Sequence, residues 1–189
     1  ELRGSGPVQW AILNGMDETG VTAMYMSAGM DEGDIIEIRK TPIEPYENAQ
    51  SLLDRLAEIG GELLCDTLRA VQAGTVTRTP QDNEKATYAP MLTKALCPID
   101  WTKSMRQIVD QVRGLDPWPV ATAELGGTHF KLYSVRRGNY RKNSSVGFRN
   151  DNTVISGIRY IHFVIFVNKN ILGRVKRSLK IRDRSFIYI

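Results

Sequence analysis

This sequence predicts an α/β segment followed by the start of a β-rich one. Two strand-like runs, Val21 to Met26 and Ile35 to Thr41, flank a tight acidic loop with glycines at 29 and 33. Behind them, from about Ser51 to Ala73, apolar residues recur at three- and four-residue steps, the period of a helix that covers one face of a sheet. Farther on, Gly126-Gly127 separates the runs Ala121 to Leu125 and Thr128 to Val135, a hairpin signal that opens a second, β-rich unit.

In chain order, Arg3-Gly4-Ser5-Gly6 is a turn. It is no dinucleotide fingerprint, because no strand is visible before it and the third glycine is absent. Pro7 to Leu13 reads as a short helix, with proline in its first turn and Gly15 as its stop. The two strands come next, the second closed by Pro42. In the long helix the apolar positions are Leu52, Leu53, Leu56, Ile59, Leu63, Leu64, Leu68 and Val71. Asn48 or Ser51 suits its N-cap, and Gly74 its left-handed C-terminal position. Residues 75–98 are polar without sustained period and read as a linker over the surface. A further helix is expected from about Ser104 to Arg113, with Met105, Ile108, Val109 and Val112 on one face and Gly114 at its end. Pro117-Trp118-Pro119 then makes a rigid corner into the hairpin.

The chain has 189 residues and 21.3 kDa, room for one ordinary domain or parts of two. An apolar share of 42% is enough for a packed core. No apolar run approaches the roughly 18 residues of a membrane span; the longest, Ile161 to Val167, is broken by His162 and fits a buried strand. Glu1-Leu2-Arg3-Gly4 lacks the order of a signal peptide, and a start without Met beside a Gly-Ser-Gly turn reads as that of a fragment. Cys65 and Cys97 have no Cys or His at metal-ligand spacing. They read as reduced thiols of a cytoplasmic protein without a metal, one of them in the core. The net charge of +4 is uneven. Residues 1–135 hold 12 Lys/Arg against 19 Asp/Glu, net −7, and residues 136–189 hold 13 against 2, net +11.

Several stretches together resemble methionyl-tRNA formyltransferases. Glu18-Thr19-Gly20-Val21-Thr22-Ala23-Met24-Tyr25-Met26-Ser27-Ala28-Gly29-Met30-Asp31-Glu32-Gly33-Asp34-Ile35 is similar to that family's E-T-G-V-T-x-M-x-M-x-x-G-[LM]-D-x-G-D-[IM]. Arg3-Gly4-Ser5-Gly6-Pro7-Val8-Gln9 is similar to R-G-[AS]-[AG]-P-[IV]-Q, and Leu53 to Gly60 to its D-K-L-A-E-x-G helix. Thr87-Tyr88-Ala89-Pro90-Met91-Leu92-Thr93-Lys94 resembles its T-Y-A-x-K-[LM]-[ST]-K linker, with Met91 in place of the usual basic residue. Ile99-Asp100-Trp101 and Arg113 to Pro119 match its I-D-W and R-x-x-x-P-W-P signatures. The likeness runs in order from residue 2 to about 135. It implies the closing part of a Rossmann-like formyltransferase domain (1–76), a linker (77–98) and the start of an OB-like C-terminal domain (99–135).

The resemblance further implies formyl transfer from 10-formyltetrahydrofolate to the amino group of initiator methionyl-tRNA by a monomer with no membrane partner. It makes Asp31 catalytic, places Ser27, Ala28, Gly29 and Met30 at the folate, and assigns Arg3 and Lys94 to the tRNA. An amine attacks the formyl carbon, an oxyanion develops, and the folate N10 gains a proton as it leaves; a loop carboxylate can position the water or imidazole that shuttles it. The family's catalytic Asn and His precede the Arg-Gly segment and thus residue 1, so the chain alone is expected to be inactive. Without the family, Asp31-Glu32-Gly33-Asp34 would read as a solvated turn, Lys94 as an ordinary surface cation, Trp101 and Trp118 as packing, and His129 and His162 as structural. The resemblance reverses that reading only for Asp31 and its loop. Beyond Val135 the likeness stops: residues 136–189 hold no Ala, Pro, Glu, Gln, Met, Cys or Trp. That usage points to a frame-shifted or chimeric tail that packs poorly, with Tyr160 to Val167 an aggregation hazard if left an unpaired edge. The alternatives are a formyltransferase acting on a nucleotide-linked amino sugar, release of the formyl carbon to water after folate oxidation, and a non-catalytic RNA-binding fragment driven by the basic tail.

Overall fold

A two-residue strand, β1 (Leu2–Arg3), opens the computed structural model, which describes residues 2–125, 127–137 and 163–165. Helix α1 (Pro7–Leu13) follows and buries Ala11 and Ile12. Strands β2 (Glu18–Met24) and β3 (Ile35–Pro42) pair antiparallel from Glu18 opposite Pro42 to Met24 opposite Ile35, with an irregularity at Ala23/Met24 beside the loop. The expected second strand is thus present, while the first begins three residues earlier than Val21.

Helix α2 (Ala49–Ala73) is fixed at both ends by its own sequence. The Asn48 side chain accepts from the Ser51 amide while Ser51 returns a bond to the Asn48 amide, and Gly74 closes the helix at φ 69°. The helix lies on the β2–β3 sheet, and Arg39 of β3 clasps Asp66 at 2.5 Å. Only part of its apolar set is buried. Leu52, Leu56 and Leu63 face inward, whereas Leu53, Leu64, Leu68 and Val71 are 45–59% exposed. A two-stranded sheet covers one stripe of a helix, and eight apolar positions span more than one stripe.

The linker is more ordered than its composition suggests. It holds a 3₁₀ turn at Asn83–Lys85, strand β4 (Thr87–Tyr88) and a second 3₁₀ turn at Lys94–Leu96. β4 pairs parallel with β1, so a strand does precede the Arg-Gly-Ser-Gly turn. Two residues carry no readable period, and the partner lies some eighty residues away.

Helix α3 (Met105–Gly114) is capped by Ser104 with Gln107. β5 (Ala121–Leu125) and β6 (Thr128–Leu132) form the expected hairpin, which is shorter than predicted because Val135 belongs to a separate strand, β7 (Val135–Arg137). β7 pairs antiparallel with β8 (Phe163–Ile165). The middle of the Tyr160–Val167 run is therefore a strand paired along one side, in a sheet of two strands. The other tail residues, His162 included, and the frame-shift reading lie outside the described residues.

Two apolar clusters result. Ala11, Ile12, Ile43, Ala49, Leu52 and Leu56 form one; Leu92, Ile99, Ile108, Val112, Leu115, Ala121, Phe130, Leu132 and Val135 form the other. Cys97 is buried near the second and Cys65 is exposed. Trp101 packs on the second cluster, but Trp118 is 54% exposed, against the expectation that it packs. The units meet where α1 crosses α3. A side chain at Gly114 would stand 3.0 Å from Leu13, so glycine permits this approach. Arg113, buried, bridges the join: Nε donates to Asp110 at 2.8 Å and Nη1 to the Glu44 and Glu47 carbonyls.

Candidate active site

The loop between β2 and β3, residues 25–34, carries the candidate site. It is pinched at its base by the Tyr25 N–H donating to the Asp34 carbonyl at 2.9 Å. Ser27, Ala28, Gly29 and Met30 form its exposed crest, with Ser27 Oγ donating to the Gly29 carbonyl at 3.2 Å. Asp31 follows, half-buried, with φ 55°. That left-handed conformation is uncommon for a side-chain-bearing residue and is tolerated best by Asn and Asp.

The Asp31 carboxylate is aimed by the Arg3-Gly4 turn. The Gly4 N–H donates to Asp31 Oδ2 at 3.1 Å, and among the described residues no hydrogen bond reaches Oδ1. Gly4 has φ 122°, and a Cβ there would lie 2.6 Å from the Ala89 carbonyl oxygen, so the turn requires glycine. The linker runs directly over it: Ala89 N–H donates to the Arg3 carbonyl, Gly6 N–H to the Ala89 carbonyl, and Trp10 Nε1 to the Pro90 carbonyl. Three segments far apart in sequence, residues 3–6, 25–34 and 79–90, therefore converge around Asp31, whose carboxylate the first of them holds.

The remaining predicted site residues separate into two places. The Arg3 side chain is 13% exposed, with Nη2 donating to Gln81 Oε1 and Asn83 Oδ1 at 2.8 Å each and Glu32 3.9 Å away. It belongs to the Asp31 cluster. Lys94 lies on the second 3₁₀ turn, exposed. Sequence reasoning missed Gln81. Its Nε2 donates to the Asp31 carbonyl at 3.0 Å and to the Gly33 carbonyl at 2.7 Å. A lone glutamine in a polar linker carries no periodic or spacing signal. Arg78 lies 3.8 Å over the Tyr25 ring, and Thr79 bridges Ile35, so the linker also grips both ends of the loop. Among the described residues no cluster of three or more His, Cys, Asp and Glu is placed to hold a metal ion, and no helix is long and apolar enough to cross a membrane.

Comparison with known proteins bears on this arrangement of a loop-bearing strand pair, a covering helix and a β-rich unit. Residues 1–68 match the family model described as formyl transferase, and residues 91–158 match that of the formyl transferase C-terminal domain, which extends past Val135. The chain belongs to the formyl transferase family. It is 48% identical over 133 residues to the methionyl-tRNA formyltransferase of Geotalea uraniireducens, covering 70% of this chain and 42% of that one. The chain thus spans about two fifths of the length of the curated relatives it matches. Among solved structures, a HypX variant from Aquifex aeolicus superposes with a TM-score of 0.73 at 20% identity, covering all of this chain and 38% of that one. The sugar 3N-formyl transferase WlaRD, solved in the presence of dTDP and 5-N-formyl-THF, superposes with 0.69 at 20% identity, covering 88% and 61%. The fold is that of the formyltransferases, the closing part of a Rossmann-like domain followed by the start of the C-terminal domain.

Proposed function

We propose that this chain supplies the Asp31 loop, the linker and part of the C-terminal domain of an enzyme that transfers the formyl group of 10-formyltetrahydrofolate to the amino group of initiator methionyl-tRNA, a cytoplasmic step of translation initiation. The observation that carries this reading is Asp31 itself, a family-matching carboxylate with one oxygen fixed on the Gly4 amide. The 48% identity to a methionyl-tRNA formyltransferase supports tRNA as the acceptor.

In this reading Asp31 Oδ1 orients the water or imidazole that carries the proton between the attacking amine and the departing folate nitrogen. The exposed crest Ser27, Ala28, Gly29 and Met30 borders the folate, and the solution of WlaRD in the presence of 5-N-formyl-THF supports a folate as the donor. Exposed Lys94 meets a tRNA phosphate. Arg3, also assigned to the tRNA by resemblance, has its guanidinium engaged with Gln81 and Asn83, which supports a role in holding the loop. No metal is invoked, and the protein is proposed to act as a monomer.

The acceptor is tested by joining this chain to the part of the Geotalea relative that it does not match. The joined protein is then assayed with 10-formyltetrahydrofolate and either initiator methionyl-tRNA or a dTDP-linked amino sugar. Formylation of the tRNA alone is expected. Transfer to the amino sugar, or folate turnover without transfer, would replace the reading; RNA binding with no turnover would favour the non-catalytic one.

A further inference from the structure

We infer that Gln81 is a positioning residue for Asp31, a linker amide that sets the orientation of the loop carboxylate from behind; this rests on the reading of Asp31 given above. The Gln81 carboxamide uses both of its ends. Nε2 donates to the Asp31 and Gly33 carbonyls, which flank the Glu32 peptide unit, and lies 3.5 Å from the Met24 sulfur at the end of β2. Oε1 accepts from Arg3 Nη2, and the same nitrogen also donates to Asn83. Arg3 is bonded through its carbonyl to Ala89 and precedes Gly4, whose N–H holds Asp31 Oδ2. One side chain thus ties the backbone on one side of the carboxylate to the turn that grips the carboxylate itself.

The geometry needs such a tie. Asp31 holds φ 55°, a conformation that relaxes toward negative φ unless its surroundings fix it. Gly33 is buried, and a Cβ there would collide with the Tyr25 carbonyl, so the loop is folded tightly on itself. The carbonyls of Asp31 and Gly33 lie within reach of one donor. A glutamine donor satisfies both, which no hydroxyl or carboxylate at this position could do, since a hydroxyl has one proton and a carboxylate none. Half-burial of Gln81 keeps water from substituting freely.

Gln81→Glu separates this role from simple docking of the linker. It keeps the length and an acceptor for Arg3 but removes both protons and sets a carboxylate oxygen against two carbonyls. Gln81→Ala removes both ends and serves as the second variant. The exchange of the Gly4 and Tyr25 amides is read by NMR on the 189-residue chain, and formyl transfer on the chain joined to its Geotalea counterpart. For Gln81→Glu the thermal midpoint should stay close to the parent's, while both amides exchange about five- to tenfold faster, as loss of about one net hydrogen bond implies. The kcat should fall about ten- to a hundredfold, the scale of a slightly misplaced catalytic group, with KM for tRNA and folate within about twofold.

Unchanged amide exchange in Gln81→Glu would overturn the proposal. So would faster exchange with kcat retained, or a rise in KM alone, because Gln81 would then serve binding or folding. If the parent joined protein formylates nothing, the functional reading fails instead. The clamp then stands or falls on amide exchange alone, with faster Gly4 and Tyr25 exchange supporting it.

Discussion

Asp31 owes its orientation to a backbone amide, and an amide can hold either a carboxylate or a carboxamide oxygen. Asp31→Asn should therefore keep the Gly4 bond and the fold, yet lose the proton-handling group. In the joined protein it should reduce single-turnover formyl transfer by about a hundred- to ten-thousand-fold with tRNA affinity nearly unchanged, and near-normal turnover would remove Asp31 from the chemistry. Glu47 makes a different residue-scale case. Burial pushes its carboxyl up, but the Arg55 hydrogen bond, the Glu44 amide and the charges of Arg55 and Arg113 outweigh burial and hold it below its ordinary value. A carboxyl depressed in the folded state adds stability above its unfolded value and loses it as pH falls through the folded one. Acid unfolding of Glu47→Gln should accordingly be less steep with pH below the usual glutamate range, at the cost of lower stability at neutrality. Identical pH profiles would show the Arg55–Glu47 pair, 2.7 Å apart, to be inert. At this scale the sequence disclosed Asp31 through a long ordered pattern, but not Gln81 or the inward commitment of Arg3. Those depend on contacts across some fifty to eighty residues that no local pattern encodes.

At the scale of elements, helices announce their ends more clearly than their faces. Asn48 as one of two candidate caps, Gly74, and the Pro7 start were readable, because caps are local chemistry, although the helix begins two residues before Ser51 and Ser51 answers Asn48 instead of replacing it. Which leucines of α2 are buried was not, because the width of the covering sheet decides it. Leu63 and Leu64 are neighbours, one 1% and the other 56% exposed. Leu63→Ala should cost about 2–5 kcal/mol by urea unfolding. Leu64→Ala should stay within about 0.5 kcal/mol. Equal losses would mean that the outer stripe is covered in solution. The parallel β1–β4 pair was illegible for the same reason that two-residue strands generally are: period needs length.

Across the whole molecule, the two units were legible as a change from helix-and-strand to hairpin patterning, whereas their join was not. The join is a charged one. Arg113 lies between Asp110, itself 4% exposed, and the carbonyls that precede α2, and Arg106 reaches Asp17 at 2.6 Å and the Gly15 carbonyl. Arg113→Met should destabilise by about 2–4 kcal/mol, because it takes the close partner from buried Asp110 and leaves only Arg106, 3.7 Å from the other carboxylate oxygen. Adding Asp110→Asn should recover part of that loss, a coupling that thermal unfolding of the four chains measures. Strict additivity would mean that the two side chains act independently. The linker's return across the first turn has a further consequence for biosynthesis. Fifty residues separate Asp31 from the Gln81 amide bonded to its carbonyl, which is several seconds of ribosomal elongation at about 5–20 residues per second. The acidic loop therefore emerges from the exit tunnel well before its support, and it can take its final shape only after the linker has followed.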